Sequence, residues 1–193
     1  VMGASRTPGK VGYAVVTNLI KGGFEGGIVP VNPSGGELMG QKFFTSLEEY
    51  GQDIDMSVIC VPTAAVKGAV LSSLKAKAKA VVIITAGFKE VGEGGQEIEE
   101  RCLEIIRRYG MRMIGPNCVG LLNVHSGLNT TFIHGVPDPG GIGFMAQSGA
   151  VMGGVVDQVL GKKIGFSHFI SMGNEADVTE TDLIEYLAGD PHT

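Results

Sequence analysis

A glycine-rich segment near the start of the chain has the residue types needed to bind a phosphate group. Residues 3–12 read Gly-Ala-Ser-Arg-Thr-Pro-Gly-Lys-Val-Gly and include the cations Arg6 and Lys10. The segment follows the end of an apolar strand at Met2, and the apolar positions from Val11 onward recur with helical spacing. A turn between a strand and a helix presents free N–H groups at the positive end of the helix dipole, which attracts phosphate. The sequence therefore predicts a phosphate-binding turn here rather than a plain connecting loop.

The second predicted strand argues against a nicotinamide dinucleotide as the ligand. The dinucleotide fingerprint is Gly-x-Gly-x-x-Gly, with an acidic residue about 20 residues further on that holds the ribose at the end of the second strand. Here the glycine spacing differs, and the strand over residues 28–31 ends in Asn32 and Pro33 instead of an acid. Glu25 precedes that strand and lies at its wrong end. A nucleotide with different sugar chemistry, such as coenzyme A, fits this pattern better.

Composition is typical of a globular α/β protein. Of 193 residues, 44% are hydrophobic and 18% are charged, and 31 are glycines, which suits many short turns. A net charge of −5 without a basic run argues against nucleic-acid binding, and no apolar run reaches the roughly 18 residues of a membrane helix. Cys60, Cys102 and Cys118 lack a metal-ligand spacing, so we expect reduced thiols in a cytoplasmic protein and no metal site.

Strands and helices alternate along residues 1–126, which predicts a doubly wound parallel sheet. Predicted strands end at Met2 and cover residues 28–31, 56–61, 80–85 and 112–114. Ser46 opens a short helix with a capping box. The polar residues 127–140, with their glycines and prolines, are predicted to be a linker, and residues 141–193 begin a second βαβα unit. The short first strand and the ending directly after a helical pattern indicate a piece of a longer chain.

The C-terminal ends of the predicted parallel strands, where ligands bind in such sheets, carry no His, Asp or Glu. They are small, polar or proline-bearing, which predicts a cleft that cradles a ligand rather than an acid–base site. Ordinary strand–helix turns would explain any one of these ends but explain five together less well. The strand-end residues that we expect to bind the ligand are Gly3, Ser5, Asn32, Pro33, Val61, Pro62, Thr85, Ala86 and Asn117.

A second turn of interest, Gln147-Ser148-Gly149-Ala150, joins a predicted strand to a predicted helix. Ser148 could be a nucleophile in such a turn, but Ala146 stands where the Gly-x-Ser-x-Gly pattern requires glycine. We interpret Ser148 as a helix N-cap. Gln147, Ser148 and Gly149 are therefore predicted to hold a phosphate at a helix N-terminus.

Six motifs in the same order resemble the NDP-forming acyl-CoA synthetases, including the ADP-forming acetyl-CoA synthetase α subunit and, more distantly, the succinyl-CoA synthetase α subunit. They are Gly-Ala-Ser-Arg at 3–6, Val-Asn-Pro at 31–33, Ile-Gly-Pro-Asn-Cys at 114–118, Leu-Asn-Thr-Thr-Phe at 128–132, Gln-Ser-Gly-Ala at 147–150 and Ser-Met-Gly-Asn-Glu-Ala-Asp at 171–177. The resemblance covers the whole chain. It implies a Rossmann-like CoA-binding domain at 1–126, followed by the start of a flavodoxin-like ligase domain at 141–193. By position, it implies CoA contacts at Ser5, Arg6, Thr7, Pro8, Ile84, Thr85 and Ala86. We expect Lys10 to bind the ligand as well, because its positive charge lies in the same turn.

The resemblance also implies an activity. The family interconverts an acid, CoA and ATP with an acyl-CoA, ADP and phosphate, by way of an acyl phosphate and a phosphorylated histidine. ATP or ADP and Mg²⁺ would lie on an ATP-grasp domain or β subunit, and the complete protein would be an oligomer that acts on a small carboxylic acid. The family's histidine lies in a Ser-His-Thr-Gly-like segment, which none of the histidines here matches: His125, His134, His168 and His192. We therefore predict no catalytic residue in this chain and expect the fragment alone to be inactive.

Two departures from the family pattern and two other functions bear on this interpretation. Ser34 stands where a lysine commonly follows Asn-Pro, and Gly153 stands where succinate-specific enzymes carry a tyrosine, which argues against succinate.

A non-catalytic CoA sensor fused to an acyltransferase is one alternative. An NAD-dependent oxidoreductase is another, which the strand end at Asn32 disfavours.

Overall fold

The computed structural model describes residues 1–193, and its first part is built around a parallel sheet. The elements of this part, in chain order, are α1 (Val11–Lys21), β1 (Gly36–Leu38), β2 (Gln41–Phe43), α2 (Leu47–Tyr50), β3 (Met56–Ile59), α3 (Thr63–Lys75), β4 (Ala80–Ile83), a 3₁₀ turn (Lys89–Val91), α4 (Glu93–Arg108) and β5 (Arg112–Ile114). Strands β3, β4 and β5 are parallel neighbours in that order. The predicted α/β class and parallel sheet are confirmed.

The first two predicted strands are shorter than expected. Met2 bridges Val31 on one side and Ile59 on the other, and Val31 also bridges Phe44, all in parallel. These single bridges add three positions beside β3, so that the sheet has the order Phe44, Val31, Met2, β3, β4, β5. No regular strand forms over residues 28–31. Pro30 contributes to this shortening because it has no amide hydrogen to donate.

An antiparallel hairpin of β1 and β2, with Gly36 opposite Phe43, was not predicted. Its two-residue turn is Met39-Gly40, and both residues have positive φ angles, as a type I′ turn requires. Methionine rarely adopts this conformation, so the sequence carried a weak turn signal.

Both faces of the parallel sheet are covered by helices, and successive residues of β4 show this directly. Val81 and Ile83 belong to the core beneath α3 and α4, whereas Val82 and Ile84 belong to the core beneath α1. Side chains alternate between faces along a strand, so a strand buried on both faces reads as a continuous apolar run. The uniform hydrophobicity of residues 80–84 thus has a direct structural cause.

Helix α1 packs directly against the glycine-rich turn. A Cβ atom at Gly12 would overlap the carbonyl oxygen of Gly3, and a Cβ atom at Gly3 would lie 2.8 Å from the main-chain carbon of Cys60. Gly3 also has a φ of +88°. Glycine at both positions lets the start of α1 sit on the end of the sheet.

The second part of the chain forms a mixed sheet with the strand order β7-β6-β9-β8. Its elements are β6 (Leu121–Asn123), β7 (Leu128–Asn129), β8 (Asp138–Ala146), α5 (Gly149–Val159), β9 (Gly165–Ser171) and α6 (Glu180–Gly189). The parallel pair β8 and β9, with α5 between them, forms the predicted βαβ unit. However, β6 and β7 pair in this sheet, so the chain enters it before residue 126, and the predicted linker 127–140 carries strand residues at both ends. No helix is long and apolar enough to cross a membrane.

His168 lies on β9 and is buried. Asn123 Nδ2 lies 2.8 Å from His168 Nε2, and because an amide nitrogen only donates, this ring nitrogen accepts. Nδ1 of the neutral ring therefore carries the proton, 3.7 Å from a carboxylate oxygen of Asp190. Burial lowers the pKa of His168, and His125 and His192 lower it further, which outweighs the opposite effect of Asp190.

The glycine contact at α1 yields a prediction about stability. Gly12→Ala should reduce the free energy of unfolding by about 1–3 kcal/mol, the usual cost of overpacking, because its Cβ meets backbone that cannot move aside. The matched control is Gly68→Ala in α3, where a Cβ meets nothing within 4 Å and should stabilise the helix by about 0.5–1 kcal/mol. Urea denaturation of both variants measures the difference, and equal effects would contradict the close packing of α1.

The lowered pKa of His168 predicts a loss of stability in acid. The unfolded chain binds the proton at its ordinary pKa of about 6.5 and the folded chain only at a lower pH. Stability therefore falls as the pH drops below about 6.5. Thermal unfolding between pH 5 and 7.5 should show a steeper loss for the wild type than for His168→Gln. If both proteins lose stability equally as the pH falls, the pKa of His168 is not lowered in the folded protein.

Candidate functional site

A cavity of about 1030 Å³ lies at the carboxyl edge of the parallel sheet, between it and helix α5 of the second sheet. It brings together predicted site residues from both parts of the chain. Those in its wall are Lys10, Val61, Pro62, Ile84, Thr85, Ala86, Asn117, Gln147, Ser148 and Gly149. The other predicted residues, Gly3, Ser5, Arg6, Thr7, Pro8, Asn32 and Pro33, lie outside this wall.

Three helices begin at the cavity. Lys10 precedes α1, Pro62 precedes α3 and Ser148 precedes α5, and all three residues line the wall. The first amides of a helix have no intrahelical acceptor and carry the positive end of the helix dipole. The cavity wall also holds the cations Lys10 and Lys89 and contains no Asp, Glu or His. The site therefore suits an anionic ligand and has no acid–base pair.

The turn before α1 is ordered by local contacts. Ser5 Oγ accepts a hydrogen bond from the Thr7 amide at 3.1 Å, and the Arg6 side chain lies over Gly36 of the β1–β2 hairpin. A Cβ atom at Gly36 would approach Arg6 Cδ to 2.7 Å. Arg6 is thus held on the outer side of the turn, whereas Lys10 faces the cavity.

Asn32 braces the same turn instead of facing the cavity. Its Nδ2 donates to the carbonyl oxygen of Ala4 at 2.7 Å, and its Oδ1 accepts from the Ser34 amide at 2.8 Å. Both ends of the side chain are engaged by main chain. The position at which a dinucleotide-binding protein holds the ribose therefore has a structural role here.

The α5 turn has the predicted N-cap. Ser148 Oγ accepts a hydrogen bond from the Val151 amide at 3.3 Å, which confirms its capping role. The missing side chain of Gly149 makes room for Val119, because a Cβ atom there would overlap Val119 Cγ2. The amides of Gly149 and Ala150 still begin the helix and line the cavity.

Asn174, which we did not predict, links the two sheets at the cavity. Its Nδ2 donates to carboxylate oxygens of Glu90 and Glu99, both at 2.8 Å, and its Oδ1 accepts from Asn117 Nδ2 at 3.2 Å. Lys89 Nζ donates to the Asn174 carbonyl oxygen and lies 3.7 Å from Glu99, which is buried. Asn174 lies within the Gly-Asn-Glu-Ala-Asp motif, which was the only signal available in the sequence.

Glu90 remains charged in this junction. Burial raises its pKa, but hydrogen bonds from Asn174 and from the amides of Gly87 and Phe88 outweigh burial and hold the pKa below its usual value. A charged Glu90 accepts hydrogen bonds from both parts of the chain, so the junction fixes the cavity wall electrostatically.

The segment after β9 runs along β5 and strengthens this link. The amides of Asn174, Ala176 and Val178 donate to the carbonyl oxygens of Pro116, Gly115 and Met113 at 2.8, 3.2 and 3.1 Å. Arg112 lies 3.0 Å from Asp177 and 3.3 Å from Asp182. Main-chain and ionic contacts thus hold the second sheet in one position relative to the cavity.

Two thiols, Cys60 and Cys118, also line the cavity. Burial raises the pKa of each to about 12, which outweighs the smaller effects of their neighbours. Both thiols are therefore protonated at neutral pH and act as small apolar wall groups rather than nucleophiles.

A cavity at the carboxyl edge of a doubly wound sheet, with three helix N-termini and two lysines, is typical of proteins that bind phosphate-bearing nucleotides. Residues 1–123 match the family described as CoA binding domain, and the chain belongs to this family. Residues 139–193 match the succinyl-CoA ligase like flavodoxin domain. The resemblance to the NDP-forming acyl-CoA synthetases, drawn from the six motifs, is confirmed.

Archaeal ligases are among the similar proteins. The chain is 45% identical over its full length to the ADP-forming acetate–CoA ligase of Methanocaldococcus jannaschii, of which it covers 27%. It is 46% identical to the α subunit of ADP-forming acetate–CoA ligase II of Pyrococcus furiosus, with 97% of this chain and 41% of the relative aligned. The chain thus spans less than half the length of these relatives.

A solved structure shows the same fold. The dinucleotide-forming acetyl-coenzyme A synthetase 1 of Ca. Korarchaeum cryptofilum, solved in complex with phosphate and ADP, matches with a TM-score of 0.95 and 38% identity. The match covers all of this chain and 41% of that one. An ATP citrate lyase of Methanothrix soehngenii, at 16% identity and a TM-score of 0.67, shares the fold alone.

Proposed function

We propose that this chain is the CoA-binding portion of an ADP-forming acid–CoA ligase. The observation that carries the proposal is that both matched domains contribute helix N-termini to one cavity, α1 and α3 from the first and α5 from the second. A reaction that joins CoA to a phosphate-activated acid needs two anion sites within reach of each other. The arrangement of these helices supplies them.

The chemistry of the cavity wall suits CoA. Lys10 and the start of α1 offer positive charge for the CoA phosphates, with Ser5, Arg6, Thr7 and Pro8 on the outer side of the same turn. The strand ends at 61–62 and 84–86 supply a neutral wall for the long pantetheine arm. Glycine at positions 3 and 12 lets the turn lie close to the sheet, and Asn32 braces the turn.

The α5 turn is the proposed site of the phosphoryl step. Gln147, Ser148 and Gly149 line the cavity at a helix N-terminus, where free amides and the dipole stabilise a phosphate. We place the catalytic histidine outside these 193 residues, because His125, His134, His168 and His192 are absent from the cavity wall.

In the complete protein, we propose that a small carboxylic acid, CoA and ATP are interconverted with acyl-CoA, ADP and phosphate. ATP and Mg²⁺ would bind to an ATP-grasp domain or β subunit, in a cytoplasmic oligomer. The similarity to ADP-forming acetate–CoA ligases supports this assignment and gives no support to the CoA sensor or the oxidoreductase.

Affinity for CoA tests the first anion site. CoA should bind more tightly than NAD, because Asn32 stands where a dinucleotide-binding protein has the acidic residue that holds the ribose. Lys10→Ala should weaken CoA binding by about 1.5–3 kcal/mol, the range for a hydrogen bond to a charged group, and more at low salt. Arg6→Ala should weaken CoA binding less, because the Arg6 side chain lies over Gly36 on the outer side of the turn. The control Lys21→Ala lies at the other end of α1 and should change nothing.

Calorimetry with both ligands measures these affinities. Equal affinity for CoA and NAD would count against the proposed function, and an unchanged CoA affinity in Lys10→Ala would remove the α1 turn from the site.

A charge placed at the start of α5 tests the second anion site. Ala150→Glu should raise the KM for phosphate at least about tenfold in the full-length enzyme, because a carboxylate would repel the anion. The same substitution suits a helix N-terminus, so the fold should be kept. Gln158→Glu adds the same charge near the end of α5 as a control. Equal KM values for phosphate in the two variants would show that the turn caps α5 and does not bind the phosphate.

A further inference from the structure

Phe132 is the only aromatic residue that lines the main cavity. It is 36% exposed, although it lies between buried Thr131 and half-buried Ile133 in a segment without helix or strand. A large apolar side chain that is left open in a cavity wall is available to contact a ligand.

Asn18 of α1 holds the main chain on both sides of Phe132. Asn18 Nδ2 donates to the carbonyl oxygen of Thr131 at 2.8 Å and to that of Ile133 at 2.9 Å. Both N–H bonds of the amide are used, one on each side of Phe132. Asn18 is also the polar exception in the apolar spacing of α1, and this contact accounts for its presence.

Further contacts make the segment rigid. Asn129 Oδ1 accepts from the amide of Thr131 at 3.0 Å and from its hydroxyl at 2.8 Å. Thr131 Oγ1 in turn accepts from the Ile133 amide at 3.2 Å. Ile133 packs into the core that contains Met152 of α5. Phe132 is therefore held between α1, through Asn18, and α5, through Ile133.

We propose that Phe132 contacts the acyl group of the substrate and limits its size, and that Asn18 is the positioning residue that holds the ring in place. This inference rests on the proposed function. If α1 holds the CoA phosphates and α5 holds the phosphoryl group, the acyl group must lie where the two sites meet. Phe132 is attached to both helices and presents hydrocarbon there, which suits the apolar part of an acid.

Adenine is the other part of CoA that an aromatic ring could contact. The phosphates separate adenine from the thiol end of CoA, so an adenine ring would lie on the far side of the α1 site from the acyl group. The packing of Ile133 against α5 places the Phe132 segment on the side of the phosphoryl site instead. The acyl group is therefore the favoured contact.

The test compares variants of the full-length protein with acids of increasing size. Phe132→Ala should raise the ratio of kcat/KM for a branched five-carbon acid to kcat/KM for acetate by about tenfold or more, since pocket volume sets such discrimination. Phe132→Trp should lower this ratio. Asn18→Leu removes both N–H donors and should shift the ratio in the same direction as Phe132→Ala, with the KM for CoA unchanged. Tyr109→Ala, an exposed aromatic outside this cavity, is the control.

Calorimetry with CoA and with the five-carbon acyl-CoA separates failure of this inference from failure of the proposed function. If Phe132 limits acyl size, Phe132→Ala should raise the affinity for the five-carbon acyl-CoA relative to CoA by about tenfold. The affinity for CoA itself should stay within about twofold of the wild-type value. An unchanged ratio in a protein that binds CoA normally would overturn the role of Phe132 alone, and a loss of CoA affinity with an unchanged ratio would assign the ring to adenine. Absence of CoA binding in the wild type would overturn the proposed function and this inference with it.

Discussion

The close contact between Gly12 of α1 and Gly3 of the preceding turn is the constraint on which the site depends. Without a side chain at either position, the first turn of α1 sits directly on the carboxyl edge of the sheet. The amides of that turn and Lys10 then face the same space as the ends of β3 and β4. A side chain at position 12 would push the helix outward and separate these groups, because it would meet the backbone of Gly3 and Ala4.

The second constraint is the fixed position of the second sheet. Asn174 donates to Glu90 and Glu99 and accepts from Asn117, so one side chain joins the segment after β9 to the 3₁₀ turn, to α4 and to the segment after β5. Arg112 adds ion pairs to Asp177 and Asp182 on the same connection. Since one of the three helix N-termini at the cavity belongs to α5, the complete site exists only while this junction holds α5 in place. Binding of the ligand therefore depends on the packing of the two sheets against each other.

Local signals predicted most of the fold and half of the site. The apolar run at residues 80–84 and the helical spacing of α1 are short-range patterns, so the alternation of strands and helices could be read from the sequence. The β1–β2 hairpin could not, because Met39 adopts a left-handed conformation that its residue type does not favour. Phe132 and Asn174 were missed for a different reason. Their positions are set by hydrogen bonds across more than 50 residues of sequence, which no local pattern reveals.

Hydrogen–deuterium exchange of the full-length protein, with and without CoA, tests the central claim that the helix N-termini form one ligand site. The amides of Val11, Gly12, Thr63 and Ala64 begin α1 and α3 and should exchange more slowly when CoA is bound, because the ligand's phosphates and pantetheine arm cover them. Amides near Tyr109, at the opposite end of the sheet, should be unaffected. Protection at Tyr109 without protection at the starts of α1 and α3 would contradict the account.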